Sequence, residues 1–136
     1  MAVQGNSTLD TIDDYIADGR ILLQDTIQPY RYDDGSLIIA MNVTLLEGRR
    51  LRPDLFVYQK LPSGQQVQHF QRKDGTVLQM EQQFRLAFLH GMVGHALERD
   101  QEDIQDERAQ AFMSVFNAIL NGRGSMSSPA AKGAPS

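Results

Sequence analysis

Few residues in this chain have the type and spacing to do chemistry: two histidines in the run HGMVGH, an acidic stretch from Asp100 to Glu107, and three arginines near the middle. His90 and His95 stand five positions apart, which sets them about 140° apart on a helix turning ~100° per residue. A two-histidine helical zinc site needs a spacing of four with a glutamate between, and neither condition is met. His95 falls beside the apolar positions Phe88 and Met92, so it reads as a partly buried structural or interface histidine. Asp100, Glu102, Asp103, Asp106 and Glu107 lack the D-x-D-x-D-G spacing of a calcium loop. They run into a helix-period pattern and read as a helix start, where carboxylates complement the positive end of the dipole. Arg49, Arg50 and Arg52 close another helical run, where cations complement the negative end. They also suit contact with an acidic neighbouring subunit or a DNA phosphate. No G-x-S-x-G, P-loop or dinucleotide-binding glycine pattern occurs, and there is no cysteine. The expectation is a non-enzyme with no catalytic residue, metal or cofactor.

These side chains must be carried by a mainly α chain. Leu9, Ile12, Ile16, Leu22, Leu23 and Ile27 repeat at helical spacing, and Pro29 forces Gln28 out of the α region, so the spacing predicts a first helix ending near Thr26. Asp33 is a good N-cap for a second helix carrying Leu37, Ile38, Met41, Leu45 and Leu46, stopped by Pro53. Joined by a short corner, the two predict an αα-hairpin. Phe56, Val57 and Tyr58 favour β structure, Leu61-Pro62-Ser63-Gly64 and Asp74-Gly75 favour turns, and Val67 to Gln71 suit a return strand. Residues 56–77 are thus expected to form an inserted β-hairpin or an ordered long loop. A lone ribbon carrying Gln59, Gln65, Gln66, Gln68 and Gln71 is marginal unless something covers it, so it is a candidate contact surface. A third helix is predicted from near Leu78, with Met80, Phe84, Phe88 and Met92 on one stripe and Leu86, Leu89, Val93 and Leu97 on another, the width expected of a central bundle helix. Gly91 and Gly94 within it predict close approach by a neighbouring helix. A last helix is expected to bury Ile104, Ala111, Phe112, Val115, Phe116, Ile119 and Leu120 and to end at Asn121-Gly122.

At 136 residues the chain suits one domain. Its formal charge of −4 argues against a protein devoted to gripping nucleic acid non-specifically. Absence of cysteine excludes disulfides and thiolate metal sites. MAVQGNSTLD has no apolar core of a secretory signal, and no apolar run approaches the roughly 20 residues that span a bilayer, so a soluble chain is expected. The segment 122–136, GRGSMSSPAAKGAPS, is too poor in bulky apolar residues to offset its ordering entropy and is expected to be a flexible tail on a helical domain of residues 1–121. Setting its Arg123 and Lys132 aside takes two from the 13 basic residues and none from the 17 acidic ones, moving the body from −4 to −6.

The run from Leu22 to Phe56 resembles the head-to-tail adaptor (connector, or head-completion) proteins of tailed bacteriophages. The resemblance rests on Leu22, Leu23, Gln24, Asp25, Pro29, Tyr30, Arg31 and Tyr32 at the corner, and on Leu46, Glu47 and the run Arg49 to Phe56 at the exit of the second helix. The later helices, from Gln83 to Leu120, look like the closing pair of the same family. Gly35-Ser36 departs from the pattern, where acidic or helix-favouring residues are expected. The resemblance implies a four-helix bundle-like structural protein of the virion, assembled in the host cytoplasm. It implies a homo-oligomeric ring, a dodecamer, docked beneath the portal protein and offering a platform to a tail or neck protein such as a nozzle or tail tube. DNA would pass through its acidic lumen without specific binding, and no membrane is involved. On that reading Arg49, Arg50, Arg52, Phe56, Tyr58, Val67 and Phe70 are candidates for the subunit or tail interface. Arg123, Met126, Pro129 and Lys132 in the tail are candidates for portal binding. The alternative is a small helical DNA-binding regulator using Arg49, Arg50, Arg52, Lys60, Arg72 and Lys73.

Overall fold

The computed structural model describes residues 8–100 and 103–122. The candidate portal contacts Arg123, Met126, Pro129 and Lys132 lie outside the described residues, as do Glu102 and the side chains of Asp103, Ile104 and Asp106. The described chain is mainly helical: α1 (Ile12–Leu23), α2 (Asp34–Leu51), α3 (Arg85–Glu98) and α4 (Asp103–Leu120), with single 3-10 turns at Pro53–Leu55 and Gln82–Phe84. The packing is compatible with a bundle: α3 lies against α2, α4 and α1.

Local chemistry sets most of the boundaries. Thr11 and Asp14 form a capping box at the start of α1, the Thr11 hydroxyl accepting from Asp14 N and the Asp14 carboxylate from Thr11 N. α1 stops at Leu23, three residues short of the expected Thr26, because Gln24 takes the left-handed conformation at φ 59° and its N–H closes back on the last turn. The Asp33 carboxylate accepts from Ser36 N at 2.7 Å, which satisfies a free donor at the start of α2 in spite of Gly35. Pro53 follows the C-cap Arg52 and opens the next 3-10 turn.

Phe88 joins the core across three elements. Its ring meets Phe56 and Phe116 edge-on, at centroid distances of 6.0 and 5.7 Å. Tyr15, Ile12 and Ile16 of α1 and Leu37, Met41 and Leu45 of α2 are buried in the same core. Gly91 and Gly94 sit where helices approach. A Cβ on Gly91 would strike Thr44 of α2 and lie 2.8 Å from the Phe116 ring, and one on Gly94 would lie 2.7 Å from the Met113 sulfur.

Three expectations are corrected. Of the two forms expected for residues 56–77, the β-hairpin is absent and the long loop is present: among the described residues there are no strands, and the only ladder contact is an isolated antiparallel bridge between Thr11 and Val77. The return segment pairs with the chain's entry instead, Ile12 N donating to Thr76 O and Leu78 N to Asp10 O. For the same reason α3 starts at Arg85 and not near Leu78. Leu78 and Met80 are buried at the period of extended chain, and the helix begins only after the 3-10 turn. On α4, Phe116 and Leu120 are buried and Phe112 and Ile119 half-buried, but Ala111 and Val115 face solvent. The bundle covers α4 along a narrower stripe, where Ala109 and Met113 meet Gly94.

Candidate functional site

The outward face of α2 departs most from what a small soluble domain needs. The inner face carries Leu37, Ile38, Met41, Leu45 and Gly48, yet Ile39, Val43 and Leu46, spaced to share one stripe, point to solvent with 47, 40 and 61% of their surface exposed. A helix apolar on both faces is ordinarily covered on both. The stripe ends in Arg50, which is exposed and paired with Glu47 one turn earlier.

Beyond it lies the exit RRLRPDLF. Arg49 stays half-buried on α2. Arg52, half-buried, reaches across to α4: Nε and Nη2 donate to the two oxygens of Asp54 at 2.9 and 2.8 Å, and Nη1 donates to Leu120 O at 2.5 Å. Its guanidinium also lies 5.3 Å from the centre of the Phe84 ring. Arg52 therefore fastens the C-terminal carbonyl of α4 to the end of α2. Phe56 and Phe70 are buried in the chain's own core, at 4 and 3% exposure, so they are not free to meet a neighbour. Val67 is half-buried, whereas Val57 and Tyr58 are exposed, Tyr58 the more so. Phe56 alone among the exit residues belongs to the aromatic stack, which turns its two successors outward.

The loop from Gln59 to Gln79 is held by side-chain amides where strands were expected. Gln59 Nε2 donates to Gln79 O while its Oε1 accepts from Gln68 N. Gln68 Nε2 donates to Val77 O, and its Oε1 accepts from Gln79 N. Gln79 completes the clasp by donating to Lys60 O and accepting from Lys60 N. On α2, Asn42 does the same for Phe70, giving to its carbonyl and taking from its N–H. An amide side chain offers one donor and one acceptor at the spacing of a peptide, so each mimics a strand neighbour. Gln65, Gln66 and Gln71 remain exposed.

The corner between α1 and α2 is a second polar centre. Arg20, 7% exposed, donates to Asp25 Oδ2 at 3.1 Å, Asp34 Oδ1 at 2.6 Å and Tyr32 O at 2.5 Å, with its guanidinium 3.8 Å from the centre of the Tyr30 ring. Asp25 also accepts from the N–H groups of Arg31 and Tyr32. Arg31 then clamps Asp100 through two bonds, at 3.0 and 2.7 Å, and the Tyr32 hydroxyl donates to the same carboxylate. Arg31 and Tyr32 hold the Asp100 carboxyl below its usual range, while burial, with the Asp100 bond, pushes the Tyr32 hydroxyl up to about 12. The end of α3 is thereby tied to the corner. A cleft beside this clamp is lined by Arg31, Tyr32, Ser36, Ala96, Arg99 and Asp100.

The histidines do not converge. His90 bonds Leu86 O through Nδ1 and packs on Phe112, whereas His95 bonds Glu98 and buries an Nε2 with no hydrogen-bond partner among the described residues. No group of three or more His, Asp or Glu side chains among the described residues is placed to hold a metal. Lys60, Arg72 and Lys73 are exposed on the loop, Lys73 lying 3.8 Å from Asp34. Among the described residues no helix is long and apolar enough to cross a membrane.

Sequence reasoning missed the amide clasp, the buried Arg20 and the outward stripe of α2. The stripe alone left a signal, since Ile39, Val43 and Leu46 give α2 a second apolar stripe beside the inner one. No family model, curated protein or solved structure matches this chain.

Proposed function

We propose that the chain is a non-enzymatic structural subunit of a bacteriophage neck, a head-to-tail adaptor that assembles as a ring between the capsid portal and the tail. The observation that carries this reading is the apolar outward stripe of α2, which ends at the arginines and Pro53 exit on which the family resemblance rests. A small helical body that packs its own core fully and still exposes such a stripe suits a subunit whose remaining surface is covered on assembly. The helical body forms the ring wall. The loop from Val57 to Val77, with Tyr58 outermost, meets a tail or neck component. The tail residues Arg123, Met126, Pro129 and Lys132 reach the portal. The chain's acidic balance lets DNA slide through the lumen, because like charges do not hold phosphate. Virions are the site of action and no cofactor is needed.

The test is genetic and visual. Particles made without this chain should package DNA but remain tailless in electron micrographs, and particles whose chain ends at Asn121 should lose it from the portal. Normally tailed particles in the first case would sink the adaptor reading. Normal attachment in the second would remove only the role of the tail.

A further inference from the structure

The outward stripe of α2 and the point where the chain leaves α4 lie at the same end of the molecule. Arg52, the C-cap of α2, holds Leu120 O, so the last turn of α4 sits against the last turn of α2. Gly122, at φ 74° and with its N–H on Ile119 O, then turns the chain off the axis of α4. From Arg52 back to Leu46, the most exposed residue of the stripe, is about 9 Å of helix at 1.5 Å per residue. Val43 and Ile39 follow on the same face, Ile39 about 10 Å beyond Leu46. The segment from Arg123 to Ser136 is fourteen residues, up to about 46 Å of extended chain, enough to run the length of that face. Its one bulky apolar side chain, Met126, comes about 13 Å of extended chain after Gly122, where Leu46 and Val43 are the first apolar residues of the stripe to be met. Pro129, Ala130 and Ala131 begin about 10 Å further on, the distance that separates Leu46 from Ile39. The segment carries Arg123 and Lys132 and no acidic side chain, whereas the 17 acidic residues of the body outnumber its basic ones, so charge draws the two together.

We infer that in the free chain this C-terminal segment lies back along the outward stripe of α2, antiparallel to it, with Met126 over Leu46 and Val43 and Pro129 to Ala131 over Ile39. Tethering supplies what so small a contact lacks. A short linker holds the segment at roughly millimolar effective concentration, about a thousandfold above a second copy present at about 1 μM. The cover is removed by whatever draws the segment away. On the ring-subunit reading, on which this last consequence rests, the portal does so, and the stripe opens to a neighbouring subunit only once the chain has docked.

The absence of cysteine makes the test direct. Val43→Cys places a single thiol on the stripe of the full-length chain, and its reaction with a small thiol reagent is timed with and without Met126→Asp, at dilutions where sedimentation shows single copies. Both chains are checked for wild-type helicity. A contact of about 0.2 mM affinity at about 1 mM effective concentration leaves about one chain in six open, so Met126→Asp should speed labelling about sixfold. A thiol at the exposed Ala17, on α1, should react at the same rate with either residue at position 126. Equal rates at Val43→Cys would overturn the proposal: both fast, and the stripe is bare; both slow, and another part of the chain covers it. A difference seen only at concentrations where copies associate would put a second copy on the stripe and overturn it too. A sixfold change, together with normally tailed particles made without the chain, would keep the cover and remove the virion role. Equal rates with tailless particles would remove the cover and leave the adaptor reading standing.

Discussion

Replacing Arg20 by methionine should be among the most damaging single changes outside the apolar core. The substitution keeps an unbranched apolar stem against Tyr30 and removes the guanidinium that bonds Asp25, Asp34 and Tyr32 O. Breaking a buried ion pair from one side costs about 3–5 kcal/mol, because the other charge is left uncompensated. Here only Asp25 is stranded, its side chain 8% exposed, whereas Asp34 at 45% recovers water. Asp25 also keeps the N–H groups of Arg31 and Tyr32, which places its share near the lower bound. Loss of the donor to Tyr32 O adds about 1 kcal/mol. The expected total is roughly 3–4 kcal/mol, against the 5–15 kcal/mol that holds a typical domain together. Urea unfolding followed by circular dichroism should show the midpoint falling at unchanged m-value. Asp25→Asn should relieve part of the cost, so the double variant should lie about 1–2 kcal/mol above the sum of the singles. A loss under about 1 kcal/mol for Arg20→Met, or additivity within about 0.3 kcal/mol, would refute the network as a cooperative clamp.

Gly91→Ala should destabilise by about 1–2 kcal/mol, the overpacking against Thr44 and the Phe116 ring exceeding the gain in helix propensity. Gly94→Ala should cost less, because its closest neighbour is the flexible Met113 side chain, and urea midpoints of the two variants rank them. Tyr15→Phe should be neutral or stabilising by up to about 1 kcal/mol, since the Tyr15 hydroxyl is buried with no hydrogen-bond partner among the described residues. Gln68→Ala removes two bonds of the clasp and should cost roughly 1–3 kcal/mol, with protease cuts appearing first between Gln59 and Gln79. For the Asp100 clamp the sign follows from its lowered carboxyl: its stabilisation is complete above the unfolded carboxylate pKa of ~3.9 and is lost as pH falls through the lower folded value. Wild type should therefore lose its advantage over Asp100→Asn in urea titrations as the pH drops below that window. The Tyr32 hydroxyl, raised to about 12, should hold its contribution below the unfolded pKa of ~10 and lose it as pH rises toward the folded value.

Much of the helical framework was legible because helix ends are written in neighbouring residues. Asp33 and Pro53 act within one turn of chain. Gly91 and Gly94 were legible as crossing points, since glycine in a helix interior costs stability unless something fills the space of its Cβ. The start of α3 was not, because the chain before it is held extended by the Leu78 N bond to Asp10 O and the bridge of Val77 to Thr11, far away along the chain. Nor was the clasp, since a glutamine on a solvated loop and one replacing a strand look alike until the loop closes.

By itself, then, the sequence determined that the chain is helical, where α2 begins and ends, and that its exit carries arginines, because capping, proline geometry and periodicity act over a few residues. Only the tertiary structure decided which of those arginines is tied to another helix, Arg52 on Leu120 with Asp54, and which stays on its own helix paired with Glu47, Arg50. It likewise decided that Phe56 and Phe70 belong to the core while Ile39, Val43 and Leu46 do not. Burial and hydrogen-bond satisfaction depend on partners tens of residues away, and no local pattern records which side of an apolar helix its own chain will cover.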